Sequence, residues 1–208
     1  MAGSQERVKQ QLILVFRRTG QRRYAVEAQR ANFPHLEMNP APGYDALMPH
    51  DLIHVVVEAQ LGLTNAVFGQ LAAGGDAGTF HLFVKRDESS RKIERTRNRV
   101  KTRGKKLMRN GRDECAQSER ATYICWYEWL ARSSSPERKT LSATMAKQAQ
   151  EVRETAVATE LRNFNQRKLD EICKHLDQLS SQWSSLKVGQ SMAVTWPDLA
   201  IVPARYVN

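Results

Sequence analysis

The sequence predicts an α+β fold, dominated by helix, with a small antiparallel sheet built from the N-terminal hairpin and the C-terminal strands. Three observations predict it. Leu12-Ile13-Leu14-Val15-Phe16 and Tyr24-Ala25-Val26-Glu27-Ala28 are strand-like runs connected through Gly20, the pattern of a hairpin. Residues 113–183 carry apolar side chains at three- and four-residue spacing, the period of packed helices. Met192 to Trp196 and Leu199 to Val202 are short strands around Pro197, able to pair with the hairpin. At 208 residues, of which 41% are hydrophobic, a single domain with a real core is expected.

Within residues 1–30, the first ten are polar and are expected to fray. Arg17, Arg18, Arg22 and Arg23 surround the hairpin tip, where exposed charge is ordinary. Residues 31–45 contain Pro34, Pro40, Pro42 and Gly43 and predict an irregular connection, with His35 inside it.

Residues 48–84 form the candidate metal-site unit. Pro49 suits the first turn of a helix running to about Gln60 and ending at Gly62, a C-cap residue. Thr64 or Asn65 then caps a second short helix, Ala66 to Ala73, closed by Gly74-Gly75. Thr79 to Val84 predicts a strand that carries His81.

The net charge of +10 is concentrated in one segment. Between Lys85 and Arg112 stand thirteen Lys or Arg against three acids, while the other residues balance to zero. Only Ile93, Val100 and Leu107 recur there, seven apart, which gives one narrow apolar stripe. With Gly104 and Asn110-Gly111 weakening the helix, a partly ordered, protruding arm is expected.

Asp113 to Arg132 predicts a helix rich in rings: Tyr123, Trp126, Tyr127 and Trp129. Such density points to core, with a base-stacking platform as the alternative. After Ser133-Ser134-Ser135, helix restarts with Ser135 as N-cap and Pro136 at the first helical position. Leu141, Met145 and Val152 form one stripe; Leu169, Ile172, Leu176, Leu179 and Trp183 form another. Asn163 and Asn165 mark the phase change, so the segment is kinked or coiled-coil-like. Residues 137–183 are therefore a candidate dimerisation surface. The last strands fall in 190–208.

Composition excludes several classes. No apolar run is long enough for a signal peptide or membrane span, so the chain reads as soluble and cytoplasmic. Cys115, Cys125 and Cys173 have no zinc-finger spacing and read as reduced core thiols. No nucleophile elbow, P-loop or dinucleotide fingerprint occurs; Gly74-Gly75-Asp76-Ala77-Gly78 lacks a phosphate loop's spacing.

The site candidate lies in Met48 to Glu58. On a helix, His50, His54 and Glu58 fall within about 80° of arc and so share one face. Leu, Ile and Val fill most other positions, so the two imidazoles and the carboxylate are expected to be buried. Burial of such groups is costly unless they are paired or bind a cation. Imidazole and carboxylate together suit zinc or another divalent metal. Asp51 lies about 100° around, where it would orient a ligand or activate a metal-bound water as a catalytic group. His81 is a possible fourth ligand, which would close the site. The competing reading is a hydrogen-bonded His54–Glu58 pair with His50 near the helix start.

His50-Asp51-Leu52-Ile53-His54 resembles the HDxxH zinc segment of the Coq4-like ubiquinone-biosynthesis proteins, and Val55 to Leu71 is similar to the helix-turn-helix that follows it. The resemblance implies zinc. That family is all-helical and takes its acidic ligand twelve residues after the second histidine. Ala66 stands there in this chain, so Glu58 would have to replace that ligand.

The functional expectation is thus a divalent-metal-binding protein, with hydrolase or lyase chemistry at the metal. A second class is a nucleic-acid or acidic-partner binding protein acting through residues 85–112. Arg91, Lys92, Arg95, Arg99, Arg103 and Lys106 would supply the charge. A helical scaffold that dimerises through 137–183 is a third.

Overall fold

The computed structural model describes residues 12–84, 89–156, 158–162 and 164–204. The fraying expected at 1–10, the start of the basic segment at 85–88, Asn163 and the last four residues lie outside this set. The strands are β1 (Leu12–Gly20), β2 (Arg23–Arg30), β3 (Leu36–Ala41), β4 (His81–Leu82), β5 (Ser191–Trp196) and β6 (Ile201–Val202). They form one sheet in the order β4-β3-β2-β1-β5-β6, antiparallel at every pairing. The helices are α1 (His50–Leu61), α2 (Val67–Ala72), α3 (Ser90–Asn110), α4 (Arg112–Ala131), α5 (Pro136–Thr155), α6 (Ala158–Leu161) and α7 (Gln166–Ser185). The helix-dominated α+β class is the one predicted, and the two chain ends do pair.

Register explains which face of the sheet packs on the helices. Leu14 opposes Ala28 on β2 and Val194 on β5; Phe16 opposes Val26 and Met192. Strand side chains alternate, so these even-numbered positions share one face, and that face joins the apolar core with Leu52, Val56, Leu176 and Trp183. Trp183 meets Tyr24 edge-on at 5.9 Å, locking α7 against β2. Arg18, expected as a solvated tip charge, instead lies over the Trp183 ring at 5.5 Å and donates to the Leu186 carbonyl at 2.6 Å. Arg30 is buried and donates to the carbonyls of Leu71 (3.1 Å) and Gly75 (2.7 Å), which ties the sheet to the end of α2.

Three sequence expectations need correction. The connection 31–45 contains β3, because Leu36, Met38 and Ala41 face inward and the backbone pairs with β2. The strand at 79–84 is only two residues long, since it sits at the sheet edge beside β3 alone. The basic segment is no loose arm from Ser90 on: α3 is a continuous helix of 21 residues. Val100 and Gly104 are its buried positions, and Gly104 permits the contact rather than weakening it. A Cβ there would lie 2.1 Å from Asp76 Oδ1. The Leu169-to-Trp183 stripe of α7, expected in a kinked or coiled-coil-like segment, packs within the chain's own core.

The end of α1 and the start of α5 follow the predicted signals. Gly62 takes the left-handed conformation after α1 (φ 68°). Ser135 and Pro136 open α5, and Asn165 caps α7 by accepting from the Lys168 amide at 2.9 Å. The long helical segment is broken into α5, α6 and α7, as a kink requires.

Candidate metal centre

Helix α1 is enclosed by the core, with Leu52, Ile53, Val55, Val56 and Val57 all buried. Its N-terminus is fixed by the preceding loop. Trp183 Nε1 donates to the Asp45 carbonyl at 3.1 Å, and Ser180 Oγ donates to the Leu47 carbonyl at 2.8 Å. The His50 amide donates to the Gly43 carbonyl at 3.1 Å. Gly43 has φ +73°, and a Cβ on it would stand 2.9 Å from His50 Cβ, so glycine is needed for the chain to pass His50 this closely.

His50 and His54 stand one turn apart at the open end of α1. Their Nε2 atoms are 3.0 Å from each other, and Glu119 Oε2 on α4 is 3.6 Å from His54 Nε2. One ligand atom from each of His50, His54 and Glu119 lies within 4.8 Å of the others. Two donors about 2.1 Å from a tetrahedral zinc are about 3.4 Å apart, close to both spacings. His54 is 5% exposed, whereas the Glu119 side chain is 68% exposed. His50 is exposed as well, against the expectation that both imidazoles are buried, because it opens α1 at the protein surface; the triad therefore has one buried anchor, His54, and a solvent-facing side.

Behind His54 the ring is held by its other nitrogen. Nδ1 lies 2.8 Å from Ser118 Oγ and 3.2 Å from Thr122 Oγ1, both on α4. With the proton on Nδ1, the ring donates to these hydroxyls and turns the Nε2 lone pair toward Glu119. Ser118 passes the chain on by donating to Glu58 Oε1 at 2.9 Å. Burial, and then the nearby His50, push His54 down to about 3, so the ring is neutral at neutral pH, as a ligand must be.

Glu58, the predicted third ligand, is placed elsewhere. It is 0% exposed and lies on the Nδ1 side of His54, at 3.9 Å, not on the Nε2 side. Its carboxylate accepts from the amides of Phe68 (2.8 Å) and Val67 (3.3 Å). It thereby caps α2, the role predicted for Thr64 or Asn65; the observed N-cap residue, Ala66, has no capping side chain. Burial pushes Glu58 up to about 8, against the pull of the Phe68 amide, the Ser118 hydroxyl and the Val67 amide. About 80° of arc groups the three residues on an ideal helix, but it does not distinguish the two nitrogens of one ring.

The other candidates separate. Asp51 faces the sheet and accepts from the Tyr24 hydroxyl, which also contacts the Pro42 carbonyl. Burial raises Asp51, and the Tyr24 hydrogen bond offsets part of that rise. Burial drives the Tyr24 hydroxyl far above its usual range, so it stays a donor. His81 is exposed on β4, where it opposes Glu37 and borders a hollow lined by Arg97 and Lys101 of α3. Neither His81 nor His35 joins the triad among the described residues. Arg91, Lys92, Arg95, Arg99, Arg103 and Lys106 all lie on α3, exposed.

Glu119, Ser118 and Thr122 were not singled out by the sequence. A signal was present: Ser118 and Thr122 are buried and continue the Cys125 and Trp129 stripe at spacings of four, three and four. Polar residues in such a stripe require partners. Nothing in the linear chain says that the partner is His54.

Beside the triad opens a cleft of about 340 Å³, with His50, Ile53 and Met48 on one wall and Tyr123, Trp126 and Met145 on the other. Thr122 touches both the cleft and His54. Two of the four α4 rings, Tyr123 and Trp126, thus line a hollow; of the four, Trp129 alone is buried, donating to Asp177 at 2.7 Å. No protein-family model, curated protein or solved structure matches the chain.

Proposed function

We propose that the protein binds one divalent transition metal through His50 Nε2, His54 Nε2 and a carboxylate oxygen of Glu119, with zinc as the preferred ion. The observation that carries this reading is the convergence of the three ligand atoms within 4.8 Å. The chain from His54 through Ser118 to Glu58 supports it, because metal-ligating imidazoles are oriented by an acceptor on their second nitrogen. The HDxxH resemblance adds to the case for zinc.

Three protein ligands leave a fourth position open, as in catalytic zinc sites. A metal held there would supply Lewis-acid chemistry and lower the pKa of a bound water, which suits hydrolysis or a lyase reaction. The chain's own residues do the rest. His54 is fixed by α4, Glu119 stands at the solvent edge, and the cleft lined by Tyr123, Trp126 and Met145 receives an apolar or aromatic group of the substrate.

Elemental analysis after zinc loading and desalting tests the reading. About one equivalent is expected in the parent, and loss is expected in His54→Ala, His50→Ala and Glu119→Gln. Glu58→Gln is expected to keep its metal. A parent that binds no zinc ends the proposal, and loss in Glu58→Gln with retention in Glu119→Gln reassigns the third ligand.

A further inference from the structure

Helix α3 shares no residue with the metal centre and has a chemistry of its own. Its 21 residues form a rod about 31 Å long. They include ten Lys or Arg and one acid, Glu94, which is engaged by Arg97 at 2.9 Å. Arg91, Arg95, Arg99 and Arg103 follow at four-residue intervals, one cation per about 6 Å along one side of the rod. Like charges at this spacing weaken a helix. The helix is held by Val100 and by the seating of Gly104 on Asp76, not by its own charge pattern. Its cations are therefore carried against local stability, and an anionic partner would relieve the repulsion.

The second half of this row, Arg99 and Arg103, borders an open groove of about 900 Å³ between α3 and the Phe33, Pro34 and Gly74 rim. Arg99, Arg103, Lys106 and Arg109 line it, with Asn98 and Thr102 as neutral polar groups, and no carboxylate appears among its described lining residues. Arg103 is fixed over the Phe33 ring at 4.8 Å from its centroid.

We propose that α3 and this groove dock on the phosphate backbone of double-helical nucleic acid, with Arg91, Arg95, Arg99, Arg103 and Lys106 as contacts and little sequence preference. The row from Arg91 to Arg103 spans about 18 Å, which is about five base-pair steps of a duplex. An acidic protein surface fits less well. Stable protein interfaces use buried apolar anchors, and Met108 is the one large hydrophobic residue that the described part of α3 exposes. A single strand also fits less well. Binding to unpaired bases uses open aromatic faces, and the groove's one ring, Phe33, is already met by Arg30 and Arg103.

Fluorescence anisotropy with a labelled duplex of about 20 base pairs tests this, using the full chain in chelator between about 50 and 500 mM salt. The chelator keeps the outcome independent of the metal reading. Micromolar binding with steep salt dependence is expected for the parent. The triple variant Arg91→Gln/Arg95→Gln/Arg99→Gln, checked for folding by circular dichroism, should bind at least about tenfold more weakly at low salt. Its log–log salt slope should be about three smaller in magnitude. No parent binding at the lowest salt overturns the proposal. So does a triple variant with the parent's slope. Equal or tighter binding of the single strand, or displacement by polyglutamate as readily as by unlabelled duplex, overturns the duplex assignment.

Discussion

The Ser118 hydroxyl lies 2.8 Å from His54 Nδ1, on the far side of the ring from Nε2, the nitrogen that faces Glu119. This contact lets α4 set the orientation of a ligand on α1. Thr122 offers a second partner at 3.2 Å, so the two hydroxyls share one task. Ser118→Ala alone is expected to weaken zinc binding about tenfold, and Ser118→Ala/Thr122→Val toward about a hundredfold. Competition with a chromophoric chelator measures both. Parent affinity in the double variant would remove the hydroxyls from the site.

Glu58 separates stability from metal binding. Its carboxylate holds the Phe68 and Val67 amides and the Ser118 hydroxyl. Glu58→Ala leaves these donors without their acceptor, at a cost of about 1–3 kcal/mol for an unsatisfied buried group. Thermal melts of the metal-free protein should show Tm falling by several degrees. Glu58→Gln should lose less, because its carbonyl still accepts. An unchanged Tm in Glu58→Ala would mean that α2 does not depend on this cap.

Gly104→Ala reverses the usual sign of a helix substitution. Alanine favours helix over glycine by about 1 kcal/mol, so an isolated α3 peptide should gain helicity. In the full chain the new Cβ would meet Asp76 Oδ1 at 2.1 Å and the Asp76 amide nitrogen at 3.2 Å. Asp76 Oδ1 is also occupied by the Gly78 amide at 3.2 Å. Overpacking of this kind costs about 1–3 kcal/mol. Circular dichroism of the peptide beside a thermal melt of the protein checks both signs, and a stabilised protein would show that α3 is not seated on this loop.

Glu27 should make stability depend on pH. It is buried on β2 and opposes Glu37 on β3. Burial raises its pKa above the ordinary 4.5; Gln29 and Arg17 lower it, and Glu37 raises it further. The folded chain thus holds this proton more tightly than the unfolded chain. The stabilisation is complete below pH 4.5 and is lost as pH rises through the folded value. Glu27→Gln should therefore raise Tm near pH 7 and change it little near pH 4. A lower Tm in the variant at pH 7 would show that the Arg17 interaction outweighs burial.

Much of the fold is legible in local pattern. The hairpin, α1 with its Gly62 stop and the Ser135-Pro136 restart all follow from signals a few residues long. β3 was hidden because Pro34, Pro40 and Pro42 interrupt the alternation that marks a strand. The order of α3 was hidden because a charged helix with three apolar positions reveals its seat only when Gly104 meets Asp76. At the site, His50 and His54 were legible from their spacing, whereas Glu119, the third member of the triad, was not.

The sequence by itself determined that α1 would bury an imidazole, His54, with a carboxylate, Glu58, since a period of 3.6 and an apolar background require it; His50, at the first position of the helix, stays exposed. It also placed nearly all the excess charge in one segment. Tertiary structure alone decided which carboxylate each ring nitrogen meets. Glu58, on the same helix, reaches His54 Nδ1 only from below and is spent on the amides of α2. Glu119, 65 positions from His54 in the chain, arrives at Nε2 because α4 packs across α1. Helical geometry sets directions within one element; the meeting of two elements is set by how the whole core packs.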